Sequence, residues 1–220
     1  MIDLSPCIGI FQEAAYFDGY SIDESIEFHI AIDKDKSFLY TDDVKNSSLE
    51  EKILFVTSLE TKQNRYRNQV VVPFISDTEE NAICERLATR LSKNEDVQSA
   101  CALYFSNKRN GDLLFTAFGM VDAVKDDVIY ELKFVSELTH EHVLQCASYV
   151  VAMGKKKGIL WNTRDNTLYE ITVPNKSHFL DTVTNAITKG VIKKYNKPSD
   201  KNIQLNELGI KLSKLAKKEG

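Results

Sequence analysis

The stretch VIYELKF, residues 128–134, places a carboxylate and an ammonium in a strand that otherwise favours a dry sheet. Glu131 and Lys133 are two residues apart, so both side chains point to one face. The preceding GMVDAVKDD ends in turn-forming Asp126 and Asp127. A two-residue turn there pairs Lys125 with Val128 and Val124 with Ile129, and sets Asp122 opposite Glu131. A four-residue turn keeps this pairing, and a three-residue turn breaks it. Opposed residues have Cβ atoms about 4.5–5.5 Å apart. Carboxylates that close raise each other's pKa unless a cation lies between them. Lys133 is displaced by about 6.5 Å along the strand, so a divalent ion satisfies the pair better. Hard oxygen ligands from two strands suit Mg²⁺ or Mn²⁺. Such an ion acidifies bound water. A neighbouring ammonium orients that water, acts as a base where its pKa is depressed, or stabilises charge developing on a phosphate. The plain alternative is a solvated Glu131–Lys133 pair with Asp122 merely near a turn.

A helix is predicted over 140–153. Thr139 is its N-cap, Leu138 can pack on Val143, Gly154 is the stop, and Lys155, Lys156 and Lys157 lie near the negative end of the dipole. It carries Gln145 and Tyr149 at i and i+4, on one face. The series G-x-x-D (Gly119 to Asp122), E-x-K (Glu131 to Lys133) and Q-x-x-x-Y (Gln145 to Tyr149) resembles the PD-(D/E)XK nuclease superfamily, in its RecB-type, lambda-exonuclease-like branch. The resemblance covers roughly 76–175. It implies an α/β fold with a restriction-endonuclease-like core, a central mixed β-sheet flanked by helices. It also implies Mg²⁺ or Mn²⁺ held by Asp122, Glu131 and the Leu132 carbonyl, with Lys133 positioning or activating water. Gln145 and Tyr149 would hold the active-site groups and the nucleic-acid backbone. Val121 stands where the family's name has proline.

The family also places a glutamate on the helix preceding these strands. Glu80 falls at the centre of the apolar stripe Ile83, Cys84, Leu87 and Leu91. A carboxylate on a buried stripe is costly without a cation, which favours Glu80 as a metal ligand. Glu85, in ICERL, is the alternative, and both acids standing solvated is the plain reading. Several RecB-type relatives carry an iron–sulfur cluster, but only Cys146 lies downstream of Lys133 here. None of the four histidines lies between residues 30 and 139, where those relatives often have one.

The elements that must position these residues fall into three stretches. Residues 1–70 read as an N-terminal region of uncertain role, with strand-like pieces at 25–32 and 36–40, a helix over 48–60 and an exposed connection over 61–69. Residues 71–195 form the nuclease-like core: a helix over 76–95, strands over 99–106, 113–124 and 128–134, the helix over 140–153, a hairpin of 158–163 with 167–174, and helix after 175. Residues 196–220 read as a basic C-terminal helix with Leu205, Leu208, Leu212 and Leu215 at helical spacing.

The 220 residues suit one compact domain. Hydrophobic content of 43% and charged content of 27% are those of a soluble globular protein. A net charge of −4 excludes a uniformly basic coat but not local basic patches. No apolar run is long enough to span a bilayer, and the first residues lack a secretory pattern. Cys7, Cys84, Cys101 and Cys146 are scattered, as reduced buried thiols would be, which points to an intracellular reducing compartment. His140 and His142 point apart on a helix, so a surface or phosphate-facing role suits them better than metal binding. Trp161 beside Asn162 and Arg164 reads as a core residue next to a turn, with base stacking as the minority view. Arg65, Arg67, Lys108 and Arg109 are candidate phosphate contacts.

The function these readings favour is metal-dependent hydrolysis of phosphodiester bonds, with DNA as substrate, by an exonuclease or a structure-dependent endonuclease of the kind used in DNA repair. The alternative is an inactive nuclease-like DNA-binding or assembly module, for instance beside a helicase or other DNA-processing partner. No membrane partner is expected.

Overall fold

The computed structural model describes residues 2–32, 38–106 and 113–197. Lys108, Arg109 and the predicted basic helix beyond residue 197 lie outside the described residues. The elements in chain order are α1 (Ser5–Tyr16), α2 (Ile22–Ile32), α3 (Asp42–Lys45), α4 (Leu49–Glu60), α5 (Arg65–Gln69), α6 (Asp77–Ala88), β1 (Asp96–Ser106), β2 (Leu113–Lys125), β3 (Val128–Lys133), α7 (His140–Ala152), β4 (Lys157–Asn162), β5 (Thr167–Thr172) and α8 (Lys176–Ile187).

The strands form one sheet in the order β1-β2-β3-β4-β5. Neighbours are antiparallel except β3 and β4, which run parallel because the chain crosses over through α7. This is the expected mixed sheet flanked by helices. Successive β3 residues point to opposite faces, and each face is covered. Ile129 joins Val121, Val124 and Val150 of α7, with Tyr149 and Met153 beside them. Tyr130 and Leu132 join a larger cluster that includes Phe11 of α1, Ile26 of α2, Phe55 of α4 and Leu87 of α6. Trp161 is fully buried in the same cluster, with its indole N–H donating to Asn166 Oδ1 at 3.0 Å. It is therefore a core residue, as expected.

The first 70 residues differ most from expectation. Segment 25–32 lies within α2 and is helical, not a strand, and Phe38 and Leu39 form a short 3₁₀ turn. Ile26, Phe28 and Ile30 alternate like a strand, but only Ile26 is fully buried, facing the core, while Phe28 reaches the rim of a cavity. Two apolar surroundings on different sides of one helix produce the period of two, and packing of α2 on α4 overrides it. The helix predicted over 48–60 forms as α4, with Ser48 and Glu51 capping each other. The helix predicted over 76–95 stops at Ala88; Leu91, three residues on, stays buried from the following turn. None of the helices among the described residues is long and apolar enough to cross a membrane, and all four cysteines are free thiols.

Candidate active site

The turn that sets the site's register is Asp126–Asp127, with Asp126 at φ +54°. Lys125 pairs with Val128, Val124 with Ile129 and Ala123 with Tyr130. The ladder ends there, one step short of Asp122 and Glu131. In its place Asp122 Oδ2 accepts the Leu132 N–H at 2.6 Å. On its other side β1 also breaks step: Val97 pairs with Ala123 and Ser99 with Val121, while Gln98 between them sits at φ +50°. Both neighbouring strands thus leave Asp122 at the same place, which frees its carboxylate for the space between β2 and β3.

That space is the wall of a cavity of about 650 Å³ lined by Asp122, Glu131, Leu132, Lys133, Gln145 and Tyr149, among others. Lys133 Nζ donates to Glu131 Oε1 at 2.7 Å. The other oxygen of Glu131, Oε2, is buried without a hydrogen-bond partner, in a residue only 1% exposed. Burial pushes the Glu131 carboxyl up to about 8, with Asp122 adding to the rise and Lys133 opposing it. Burial likewise raises Asp122 to about 6, against the pull of Lys133 and the Leu132 N–H. Burial would lower Lys133, yet the Glu131 and Asp122 carboxylates outweigh it and hold the ammonium above its usual range.

A third carboxylate comes from a place the motifs do not reach. Glu13 of α1 is buried and accepts from the Gln98 side chain. Burial, then Asp122, then Glu131 push its carboxyl well above the usual range. Glu80 and Glu85 do not fill this position. Helix α6 packs against α1, Glu80 is half-buried outside the cavity lining, and Glu85 is exposed. Sequence reasoning missed Glu13 because it belongs to no motif. Its signal is that Gln12 and Glu13 interrupt an otherwise apolar helix from Cys7 to Tyr16, so both must be buried with polar partners.

Gln145 and Tyr149 come together as their spacing requires, with Gln145 Nε2 donating to Tyr149 Oη at 3.0 Å. The tyrosine ring lies over Gly119, where a Cβ would come within 2.8 Å of Tyr149 Cζ. The glycine of G-x-x-D therefore makes room for the tyrosine of Q-x-x-x-Y. Gly119→Ala is expected to push Tyr149 out of place, cost about 1–3 kcal/mol of stability and weaken the site. Thermal melting with near-ultraviolet circular dichroism reads both, and an unmoved tyrosine signal would contradict it.

Other candidates lie elsewhere. Arg67 sits over the Phe55 ring at 4.9 Å, and neither it nor Arg65 lines the cavity. His142 Nδ1 accepts the Thr139 N–H at 3.0 Å, which caps α7.

The donor set fits a hard divalent cation in one respect above all: a buried oxygen of Glu131 lacks a partner beside the half-buried carboxylate of Asp122. Among the described residues no group of three or more His, Cys, Asp or Glu side chains converges on one metal position. An ion here would rest on Asp122 and Glu131, with Glu13 contributing charge and the Leu132 main chain at hand.

Comparison with family models places this geometry. Residues 74–171 match the model of the PD-(D/E)XK nuclease superfamily. The matched segment holds β1, β2, β3, α7 and β4 and every residue of the three motifs, and the five-stranded sheet with flanking helices is consistent with the restriction-endonuclease-like fold. It suggests a nuclease domain. Comparison with curated proteins and with solved structures found no match.

Proposed function

We propose that this chain is a Mg²⁺- or Mn²⁺-dependent nuclease that hydrolyses phosphodiester bonds in DNA. The observation that carries the reading is the convergence of Asp122, Glu131 and Lys133 on the lining of one cavity, with a buried oxygen of Glu131 unpartnered. The charge of the cavity supports it. Its lining includes Asp3, Glu13, Glu24, Glu60, Asp122 and Glu131, against Lys133 and a His29 already paired with Glu60 at 2.9 Å. A phosphate anion is repelled from such a wall unless cations enter with it.

Asp122 and Glu131 would hold the ion, with the Leu132 carbonyl as a further ligand. When bound, it would neutralise the carboxylates and make a water acidic enough to give up a proton and act as the nucleophile at neutral pH. Lys133, kept protonated by its carboxylate neighbours, orients that water and stabilises charge on the phosphate oxygens as the P–O bond to the leaving group breaks. Tyr149 and Gln145, held to each other, present a hydroxyl and an amide to the substrate backbone. The Q-x-x-x-Y pair is what favours the RecB-type, lambda-exonuclease-like branch.

The test is cleavage of linear and circular, single- and double-stranded DNA with Mg²⁺ or Mn²⁺. Asp122→Ala, Glu131→Ala and Lys133→Ala are each expected to lower cleavage by about a thousandfold with the fold retained. Undiminished cleavage by all three removes the proposal. Binding of DNA without any cleavage leaves the inactive-module alternative.

A further inference from the structure

Beyond the cavity, a set of buried polar side chains leads back to Lys133 from behind. The Lys133 carbonyl, at the end of β3, accepts the Thr163 N–H at 2.8 Å and lies 3.1 Å from Thr163 Oγ1. Two residues on, Val135 has both main-chain groups held by the Asn162 amide: its N–H donates to Oδ1 at 3.1 Å, and Nδ2 donates to its carbonyl at 2.9 Å. Asn162 and Thr163 are 1% and 0% exposed. The β3–β4 ladder ends at Lys133 and Asn162, so these side chains continue the pairing where backbone no longer supplies it.

The third member comes from 151 residues away. Gln12 of α1, 1% exposed, meets Thr163 Oγ1 through its amide. With Oε1 as the contact, one hydroxyl proton faces two acceptors, Gln12 and the Lys133 carbonyl, while Gln12 Nε2 is buried without a partner. Turning the amide over resolves the first and leaves the other buried position to Oε1. Nε2 then donates to Thr163 Oγ1, and the hydroxyl donates to the Lys133 carbonyl. The result is a directed chain from α1 through β4 to the main chain of the lysine, and Gln12 is the residue next to Glu13.

We propose that Gln12 and Thr163 are positioning residues for Lys133. By fixing its carbonyl they hold its ammonium against Glu131, and they set α1, with Glu13, in register with β3. The inference rests on the nuclease reading for its catalytic consequence, and on geometry alone for the clamp itself. A displacement of about 1 Å in a reacting group is enough to slow a reaction by about a hundredfold.

The test uses Gln12→Met and Thr163→Val, which keep shape and remove hydrogen bonds, with Thr163→Ser as the conservative control. Both disruptive variants are expected to lower kcat about ten- to a hundredfold at unchanged KM and unchanged Mn²⁺ affinity by calorimetry, and Thr163→Ser is expected to restore kcat. Wild-type kcat in both overturns the catalytic role, and a kcat loss matched by loss of metal affinity reduces the pair to structural support. Amide hydrogen exchange at Thr163, which needs no activity, reads the clamp separately. It is expected to quicken in both variants, and unchanged protection overturns the clamp. A wild-type protein that cuts no DNA sinks the nuclease reading, while the exchange result still decides whether Gln12 and Thr163 hold the strand.

Discussion

Glu131→Gln is expected to lower cleavage about a thousandfold while weakening the pH dependence of the metal-free protein's stability. The second half follows from the direction of the carboxyl shifts, to which Glu13 adds a rise of its own. Glu131 is raised from 4.5 to about 8 and Asp122 from 3.8 to about 6, in both cases first by burial. Between those limits the folded protein keeps protons that the unfolded chain releases, so stability falls as pH rises. Lys133 is raised as well, but its contribution is fully present below its unfolded value of 10.5 and stays constant in this window. Metal-free wild-type protein is thus expected to lose on the order of 2 kcal/mol or more between about pH 5 and about pH 9, seen as a falling Tm. Glutamine keeps the shape and cannot ionise, so the variant loses the Glu131 share and retains those of Asp122, confined below about pH 6, and of Glu13. Added Mn²⁺ should stabilise wild type more at the alkaline end than the acid end, because an ion binding the ionised carboxylates removes the repulsion that burial creates. A wild-type Tm that climbs with pH would contradict the raised carboxyls. Full cleavage by the variant would remove Glu131 from the chemistry.

The part of this site that could be read from residue order is the part carried by short-range geometry. Two aspartates in a tight turn fix the pairing of β2 with β3, which ends one step short of Asp122 and Glu131. Thr139 and Gly154 bracket α7, so the relation of Gln145 to Tyr149 is also local. What the sequence conceals is non-local. Gly119 reads as a generic strand glycine until Tyr149 is seen above it, thirty residues on. The clean alternation in SIEFHIAI argues for a strand, and only packing on α4 with a cavity on the other side makes it a helix. Glu80 was the best acid available from periodicity because a helical wheel identifies which residues share a stripe, not which partner the stripe meets. Helix α6 spends that stripe on α1 and the core. Its Arg86 instead donates to the carbonyls of Thr163 and Arg164. The burial of Gln12 and Glu13 together had a visible trace, two polar residues in an apolar helix, but their partners lie on β1 and beyond β4 and follow from no spacing.

Glu13→Gln is the sharpest test of whether the helices before the matched segment belong to the site. It is expected to weaken Mn²⁺ binding about tenfold, equivalent to about 1.4 kcal/mol, to lower cleavage at least in proportion, and to raise the Tm of the metal-free protein. The reasoning is electrostatic. Two buried carboxylates and the half-buried Asp122 face one ammonium, and Glu13 is raised by burial first and then by Asp122 and Glu131. Its charge is unfavourable when no cation is present and favourable when one arrives, so neutralising it trades affinity for stability. The amide remains in place beside Gln98, which supplies the existing contact, so the change removes charge without opening a hole. Glu80→Gln is the control, expected to alter neither metal affinity nor cleavage because its side chain stands outside the cavity lining. Calorimetry with Mn²⁺ and melting in chelator separate the two variants. Loss of affinity in Glu80→Gln with none in Glu13→Gln would return the third carboxylate to α6. The expected result instead makes α1 a working wall of the site, since a field built from Glu13, Asp122 and Glu131 exists only when that helix is docked on the sheet.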